Sequence, residues 1–84
     1  MIIKVQHFKD NVIGVYEEEI YSNVEKIFRF RDKNDDEFLN LQINGQEHLE
    51  LIPITHIDEK GNHPSLVGAI WLMNNEGKTI ERLV

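Results

Sequence analysis

Short runs of alternating apolar and polar residues, separated by turn-forming residues, are the feature that most restricts how this chain folds. The stretch FRFRDKNDDEFLNL at residues 28–41 shows the pattern, because two alternating runs flank one polar segment. Side chains that alternate with a period of two lie on opposite faces of a β-strand. The recurring pattern predicts a mainly β fold, an antiparallel meander of about six or seven short strands in a small sandwich or barrel.

One segment fits a helix as well as a strand. Its apolar residues recur every three or four positions, at Ile13, Tyr16, Ile20, Val24 and Ile27. That spacing is typical of an amphipathic helix, so an α+β fold with a helix over residues 13–28 is the alternative. Gly14 and the Ser22-Asn23 pair favour a strand and a turn instead.

The length of the chain, 84 residues, predicts one compact domain over residues 1–84, because a second core would not fit. The chain has no cysteine, so neither a disulfide nor a thiolate–zinc site contributes to stability. The first apolar residues are too few for a signal peptide, and the apolar run at residues 66–73 is far shorter than the roughly 20 residues of a membrane helix. We therefore expect a cytoplasmic protein that does not enter a membrane.

The charge of the chain argues against nucleic-acid binding. Nine basic and fifteen acidic residues give a net charge of −6, which repels a phosphate backbone. Arg29 and Arg31 do alternate with Phe28 and Phe30, as in some sheets that bind single strands. In a strand, however, the two residue types lie on opposite faces, so we expect the phenylalanines in the core and the arginines in solvent, paired with acids.

The polar segment DKNDDE at residues 32–37 resembles the start of a calcium-binding loop, with oxygen ligands at Asp32, Asn34 and Asp36. The match then fails, because the sixth position, normally glycine, is Glu37, and the twelfth, normally glutamate, is Ile43. Asn and Asp also form turns readily through hydrogen bonds to their own backbone. The segment is therefore predicted to be a hairpin turn.

The segment THIDEKGNHP contains the second candidate for metal chemistry. His56, Asp58 and His63 supply two imidazoles and one carboxylate, a known ligand set for divalent metals. All three lie within eight residues of a polar loop, which is also what an ordinary exposed loop looks like. A small domain that binds a ligand or a divalent metal through the 56–63 loop is therefore the alternative function.

The segment LVGAIWLM at residues 66–73 is apolar on both faces of the predicted strand, and one face carries Val67, Ala69, Trp71 and Met73. A strand with one face in solvent carries polar residues on that face. Because this strand is apolar on both faces, some other part of the protein or a partner must cover its second face. Trp and Met are enriched at the centres of interfaces. We therefore predict these four residues as interface candidates, with the acidic run Glu17, Glu18 and Glu19 as a charged rim.

Catalysis has little support in the sequence. There is no cysteine, and neither of the two serines, Ser22 and Ser65, lies in the glycine-rich strand-to-helix turn of a nucleophilic serine. We therefore predict a protein that is not an enzyme and needs no cofactor. The predicted function is that of a small acidic protein-interaction module, either a homodimer or an inhibitor or accessory protein of another protein.

Overall fold

The computed structural model describes residues 1–8 and 16–84, and within these ranges the chain is all β. The seven strands are β1 (Ile2–Phe8), β2 (Tyr16–Tyr21), β3 (Val24–Arg31), β4 (Glu37–Ile43), β5 (Glu50–Pro53), β6 (Val67–Met73) and β7 (Thr79–Arg82). They form two antiparallel sheets, a four-stranded sheet in the order β2-β1-β6-β7 and a three-stranded meander β3-β4-β5. The mainly β prediction is confirmed, and the fold is a small sandwich.

The alternative helix over residues 13–28 is wrong for the described part of that range. Residues 16–21 and 24–28 lie in β2 and β3, and Asn23 between them has a φ of 58° that breaks any helix. Residues 13–15, including Gly14, lie outside the described residues. Among the residues that are described, no helix is present that has the length and apolar character to cross a membrane.

The polar segment between β3 and β4 is a hairpin turn, as predicted. The backbone N–H of Asp32 donates to the carbonyl of Asp36 at 2.9 Å, and the Asp32 carboxylate accepts the backbone N–H groups of Asn34 and Asp36. Asp35 has a φ of 64°, a conformation that aspartate tolerates better than most residues. This turn fixes the register of the hairpin, in which Arg31 lies opposite Glu37.

The core lies between the inner faces of the two sheets. The largest fully buried side chains are Ile3, Val5, Leu39, Leu41, Ile52 and Ile70. Leu39 and Leu41 of β4 therefore face the core. The two sheets are also joined at one corner, where the backbone N–H of Val24 donates to the Met1 carbonyl and the Met1 amino group donates to the Val24 carbonyl.

Strand β6 contains a bulge that changes which side chains share a face. Gln6 of β1 pairs with Ala69, but the next residue, His7, pairs with Val67, so Gly68 has no partner in β1. A β-carbon at Gly68 would lie 2.6 Å from the ring of Tyr16, so that ring occupies the space of a side chain. The bulge turns Val67 to the core side of the sheet, away from the face that carries Ala69.

Candidate functional site

Among the strands in residues 1–8 and 16–84, β2 and β3 are the longest that lie at the edge of a sheet. These two strands have six and eight residues, whereas the other edge strands, β5 and β7, have four residues each. Short edge strands limit pairing with other chains, and Pro53 at the end of β5 cannot donate a ladder hydrogen bond. Pro53 therefore lies at the end of an edge strand, where a proline is tolerated. Edges β2 and β3 therefore offer the most backbone to a partner.

Edge β2 carries the acidic run Glu17, Glu18 and Glu19. Its pairing with β1 places Glu17 and Glu19 opposite His7 and Val5, on the core side of the sheet, and places Glu18 on the outer face. All three residues are exposed, because the edge of this sheet extends beyond the core. The three carboxylates therefore do not form one patch but are divided between the two faces of the strand.

A small hydrogen-bond network holds the Glu19 carboxylate in its charged form. The Tyr21 hydroxyl donates to Glu19, and His7 Nε2 lies 3.1 Å from the same carboxylate oxygen. The hydrogen bond from Tyr21, assisted by His7, lowers the pKa of Glu19 against the effect of burial. Burial, and then the Glu19 carboxylate, raise the pKa of Tyr21. On the outer face of the same strand, the Glu18 carboxylate lies 3.4 Å from the Lys4 Nζ atom.

Edge β3 carries basic residues on its core side, whereas edge β2 carries the acidic Glu17 and Glu19 there. Arg29 and Arg31 project on the same side as Leu39 and Leu41, because their cross-strand partners are Leu39 and Glu37. Both arginines pair with the Glu37 carboxylate. The Nη1 atom of Arg31 also lies 3.6 Å from the Asp35 carboxylate. The predicted pairing of these arginines with nearby acids is confirmed.

The predicted burial of the two phenylalanines is wrong. Phe28 and Phe30 lie on the outer face of the three-stranded sheet and are 45% and 39% exposed. We call this surface the aromatic face, and it consists of Phe28, Phe30, Phe38, Leu51 and Pro53. Phe30 and Phe38 stack on it, with ring centroids 5.4 Å apart. The reason for the difference is register, since the hairpin pairs Phe28 with Asn40, on the side away from Leu39 and Leu41.

The four interface candidates of β6 do not lie together on one surface. Val67 and Ala69 are buried within this chain, and Val67 belongs to the core because of the bulge at Gly68. Trp71 and Met73 are half-buried on the outer face of the four-stranded sheet. The Lys4 ammonium lies 5.3 Å from the centroid of the Trp71 ring, so a charged side chain of the same protein covers part of that ring.

The three candidate metal ligands make other contacts in this structure. The Asp58 carboxylate accepts the backbone N–H groups of Lys60 and Asn62, both at 2.9 Å, and so closes its own loop. In residues 1–8 and 16–84, no group of three or more His, Cys, Asp or Glu side chains is arranged to hold a metal ion. The two histidines instead approach Asp36, in the β3–β4 turn, with their Nδ1 atoms 3.9 Å (His56) and 2.9 Å (His63) from its carboxylate.

Asp36 connects the β3–β4 turn to the 56–63 loop. The residue is only 2% exposed, and its carboxylate accepts hydrogen bonds from the Thr55 hydroxyl and from His63 Nδ1. The His63 hydrogen bond lowers the pKa of Asp36, and the backbone N–H of Ile57 and the Thr55 hydroxyl act in the same direction against the effect of burial. The cluster therefore holds the loop against the sandwich through an ionised carboxylate.

Replacing Asp36 by asparagine should lower the melting temperature at pH 7 and have less effect in acid. The lowered pKa means that the folded state favours the charged form, so this contribution is present above the ordinary aspartate pKa of about 3.9. It is lost as the pH falls through the still lower pKa of the folded state. Thermal melts of both proteins at pH 7 and below pH 4 measure the difference. Asp58→Asn is the control, since an asparagine oxygen can accept the same backbone N–H groups.

A cleft lies beside the same loop. It has a volume of about 520 Å³, and its described lining consists of Phe8, His56, Ile57, Asp58, Pro64, Ser65 and Leu66. Four of these seven side chains are apolar, and the polar ones are His56, Asp58 and Ser65. The volume and the apolar walls lie in the range of sites for small molecules.

Comparison with known proteins identifies no relative. The chain matches no protein-family model, no curated protein and no solved structure.

Proposed function

We propose that this protein is a non-catalytic interaction module that assembles with further copies of itself. The observation that carries the proposal is the presence of large apolar side chains in solvent on the two longest edge strands of the described residues. Ile20 of β2 is 62% exposed, and Phe28 of β3 is 45% exposed. Unpaired backbone beside exposed apolar side chains is the combination by which sheets join other chains.

The size of the aromatic face supports contact through the edge as well as through the face. Three strands at a spacing of about 4.8 Å make a surface about 14 Å wide, and seven residues at about 3.4 Å each make it about 24 Å long. A stable interface buries about 800 Å² on each partner. The aromatic face alone is too small for that, so a partner must also engage backbone at the strand edge.

The proposal is tested by solution mass from light scattering over a concentration series. The mass should rise from the 9.9 kDa of the single chain to at least twice that value as the concentration increases. A mass that stays at 9.9 kDa up to millimolar concentration would overturn the proposal.

A second candidate function, binding of a small apolar molecule, is favoured by the cleft beside the 56–63 loop. Ile57, Pro64 and Leu66 provide apolar contact area there, and His56 provides a polar group. A pocket of this kind binds through its walls and orients its ligand through a few polar groups.

The fluorescence of 1-anilinonaphthalene-8-sulfonate tests this candidate. The dye should brighten with the wild-type protein, and Ile57→Asp should reduce the enhancement several-fold, because the variant places a charge on the wall of the cleft. Phe28→Asp is the matched control on the aromatic face and should leave the signal unchanged. The opposite result, loss with Phe28→Asp alone, would assign the dye to the aromatic face and reject the cleft.

A further inference from the structure

The structure also indicates how two copies would meet. Resting on the proposed self-association, we infer that edge β2 of one copy pairs antiparallel with edge β3 of a second copy, with Ile20 opposite Phe28. The partner is therefore a second copy of this chain, and the contact joins two different edges rather than one edge to itself.

Charge complementarity on the core side of the strands is the first argument for this pairing. In an antiparallel pair, directly opposite residues project from the same face. With Ile20 opposite Phe28, Glu19 lies opposite Arg29 and Glu17 lies opposite Arg31. All four side chains already project on the core side of their own sheets, so the two sheets can join without turning either one over. Opposite charges placed in this way stabilise a strand pair.

The second argument comes from the outer face. Ile20 and Phe28 are both exposed and both project outward, so the proposed register brings together two apolar side chains that the single chain leaves in water. Pairs of an aromatic with a β-branched residue are among the favourable cross-strand pairs. The added strand would also extend the aromatic face beyond Phe28 and increase the buried area.

Other arrangements of the same edges are less complementary. A shift by two residues in either direction leaves only one Glu–Arg pair within the two strands and moves Ile20 opposite either Lys26 or Phe30. Pairing of β2 with a second β2 would place the acidic run, Glu17 to Glu19, against itself, and like charges directly opposite each other are destabilising.

The ion pairs within the single chain are compatible with this contact. Arg29 and Arg31 share the one carboxylate of Glu37, and each guanidinium group has five N–H donors. Arg29 also donates to the Leu83 carbonyl, and Arg31 also pairs with Asp35. A carboxylate from β2 of the second copy would therefore add one more partner to each arginine.

Two variants, each with a charge that blocks one edge strand, test whether β2 pairs with β3. Ile20→Asp places a charge on β2 and leaves β3 intact, whereas Phe28→Asp does the reverse, and both positions are exposed enough for the variants to fold. Each variant alone should be a monomer at concentrations where the wild type is associated. An equimolar mixture should form a heterodimer, because one intact β2 edge and one intact β3 edge remain.

The outcomes separate this inference from the proposed function. If Ile20→Asp alone still associates, the contact joins β3 to β3, and if Phe28→Asp alone still associates, it joins β2 to β2. Either result overturns the inference while self-association stands. A wild-type protein that is monomeric throughout overturns both. Circular dichroism of each variant confirms that a monomeric mass reflects a blocked edge and not an unfolded chain.

Cysteine cross-linking tests the register. The natural chain has no cysteine, so a disulfide between Ile20→Cys and Phe28→Cys chains forms only where the two new residues meet. Opposite residues in an antiparallel pair have Cα atoms about 4.5–5.5 Å apart, which a disulfide can span. Ile20→Cys mixed with Lys26→Cys or Phe30→Cys is the control for the shifted registers. Equal cross-linking in all three mixtures would contradict the register with Ile20 opposite Phe28.

Discussion

Replacing Leu41 by alanine should lower the free energy of unfolding by about 2–5 kcal/mol, the usual cost of truncating a fully buried leucine. Leu41 lies on the central strand of the three-stranded sheet, faces the core and is completely buried. The loss combines the transfer of apolar surface to water with the cavity that remains. Domains of this size have roughly 5–15 kcal/mol of stability in total, so the variant should be partly unfolded in mild denaturant. Urea titration followed by circular dichroism measures the change.

Leu51→Ala is the matched control for this prediction. Leu51 lies in the neighbouring strand of the same sheet but faces outward and is 51% exposed. The same truncation should cost less than about 1 kcal/mol there, because little surface is removed from a packed environment. Equal losses at Leu41 and Leu51 would contradict the assignment of inner and outer faces.

The β3–β4 hairpin shows which structural features could be predicted from the sequence and which could not. The period of two and the turn chemistry were sufficient to predict both strands and the turn between them. The error at Phe28 arose because each strand was assigned an inner face separately, by its apolar residues. The register that the turn imposes places Phe28 opposite Asn40, a residue whose polarity already indicated the outer face. Cross-strand pairing, applied to the sequence, would have found it.

The turn at Asn44-Gly45 illustrates a second limit. An Asn-Gly pair is typical of a tight hairpin with positive φ at both residues. Here only Gly45 of the two has a positive φ, and β5 does not begin until Glu50. The pairing of Leu41 with Glu50 therefore leaves a long connection between β4 and β5. A local turn signal identifies the change of direction, whereas the length of the loop depends on contacts elsewhere in the sandwich.

The cluster around Asp36 could not be predicted from local sequence at all. His63 is separated from Asp36 by 27 positions, and the two meet only because the 56–63 loop folds over the β3–β4 turn. Sequence spacing had instead selected Asp58, the carboxylate nearest to His56 and His63 along the chain. Asp58 is occupied by the backbone of its own loop, which is the ordinary role of an aspartate before a glycine turn. Asp36, and not the carboxylate nearest in sequence, is the one that both histidines approach.

Replacing Phe28 by aspartate should weaken self-association at least tenfold, a loss of about 1.4 kcal/mol or more in binding free energy. The change removes an exposed aromatic side chain from the centre of edge β3 and places a carboxylate on a surface that must lose water when a second copy binds. In the inferred register that carboxylate would also lie next to the acidic run of β2. The concentration dependence of the mass by light scattering gives the change in dissociation constant.

Leu51→Asp separates a specific effect at β3 from a general effect of added charge. It makes the same chemical change on the same outer face and alters the net charge equally, but it lies on β5, the short edge that ends at Pro53. Self-association should survive it, because the partner strand adds along β3 on the opposite side of the sheet. If both variants dissociate the protein equally, the contact covers the whole aromatic face and a partner packs onto the sheet instead of extending it. If only Phe28→Asp does so, the open edge of β3 is where two copies meet.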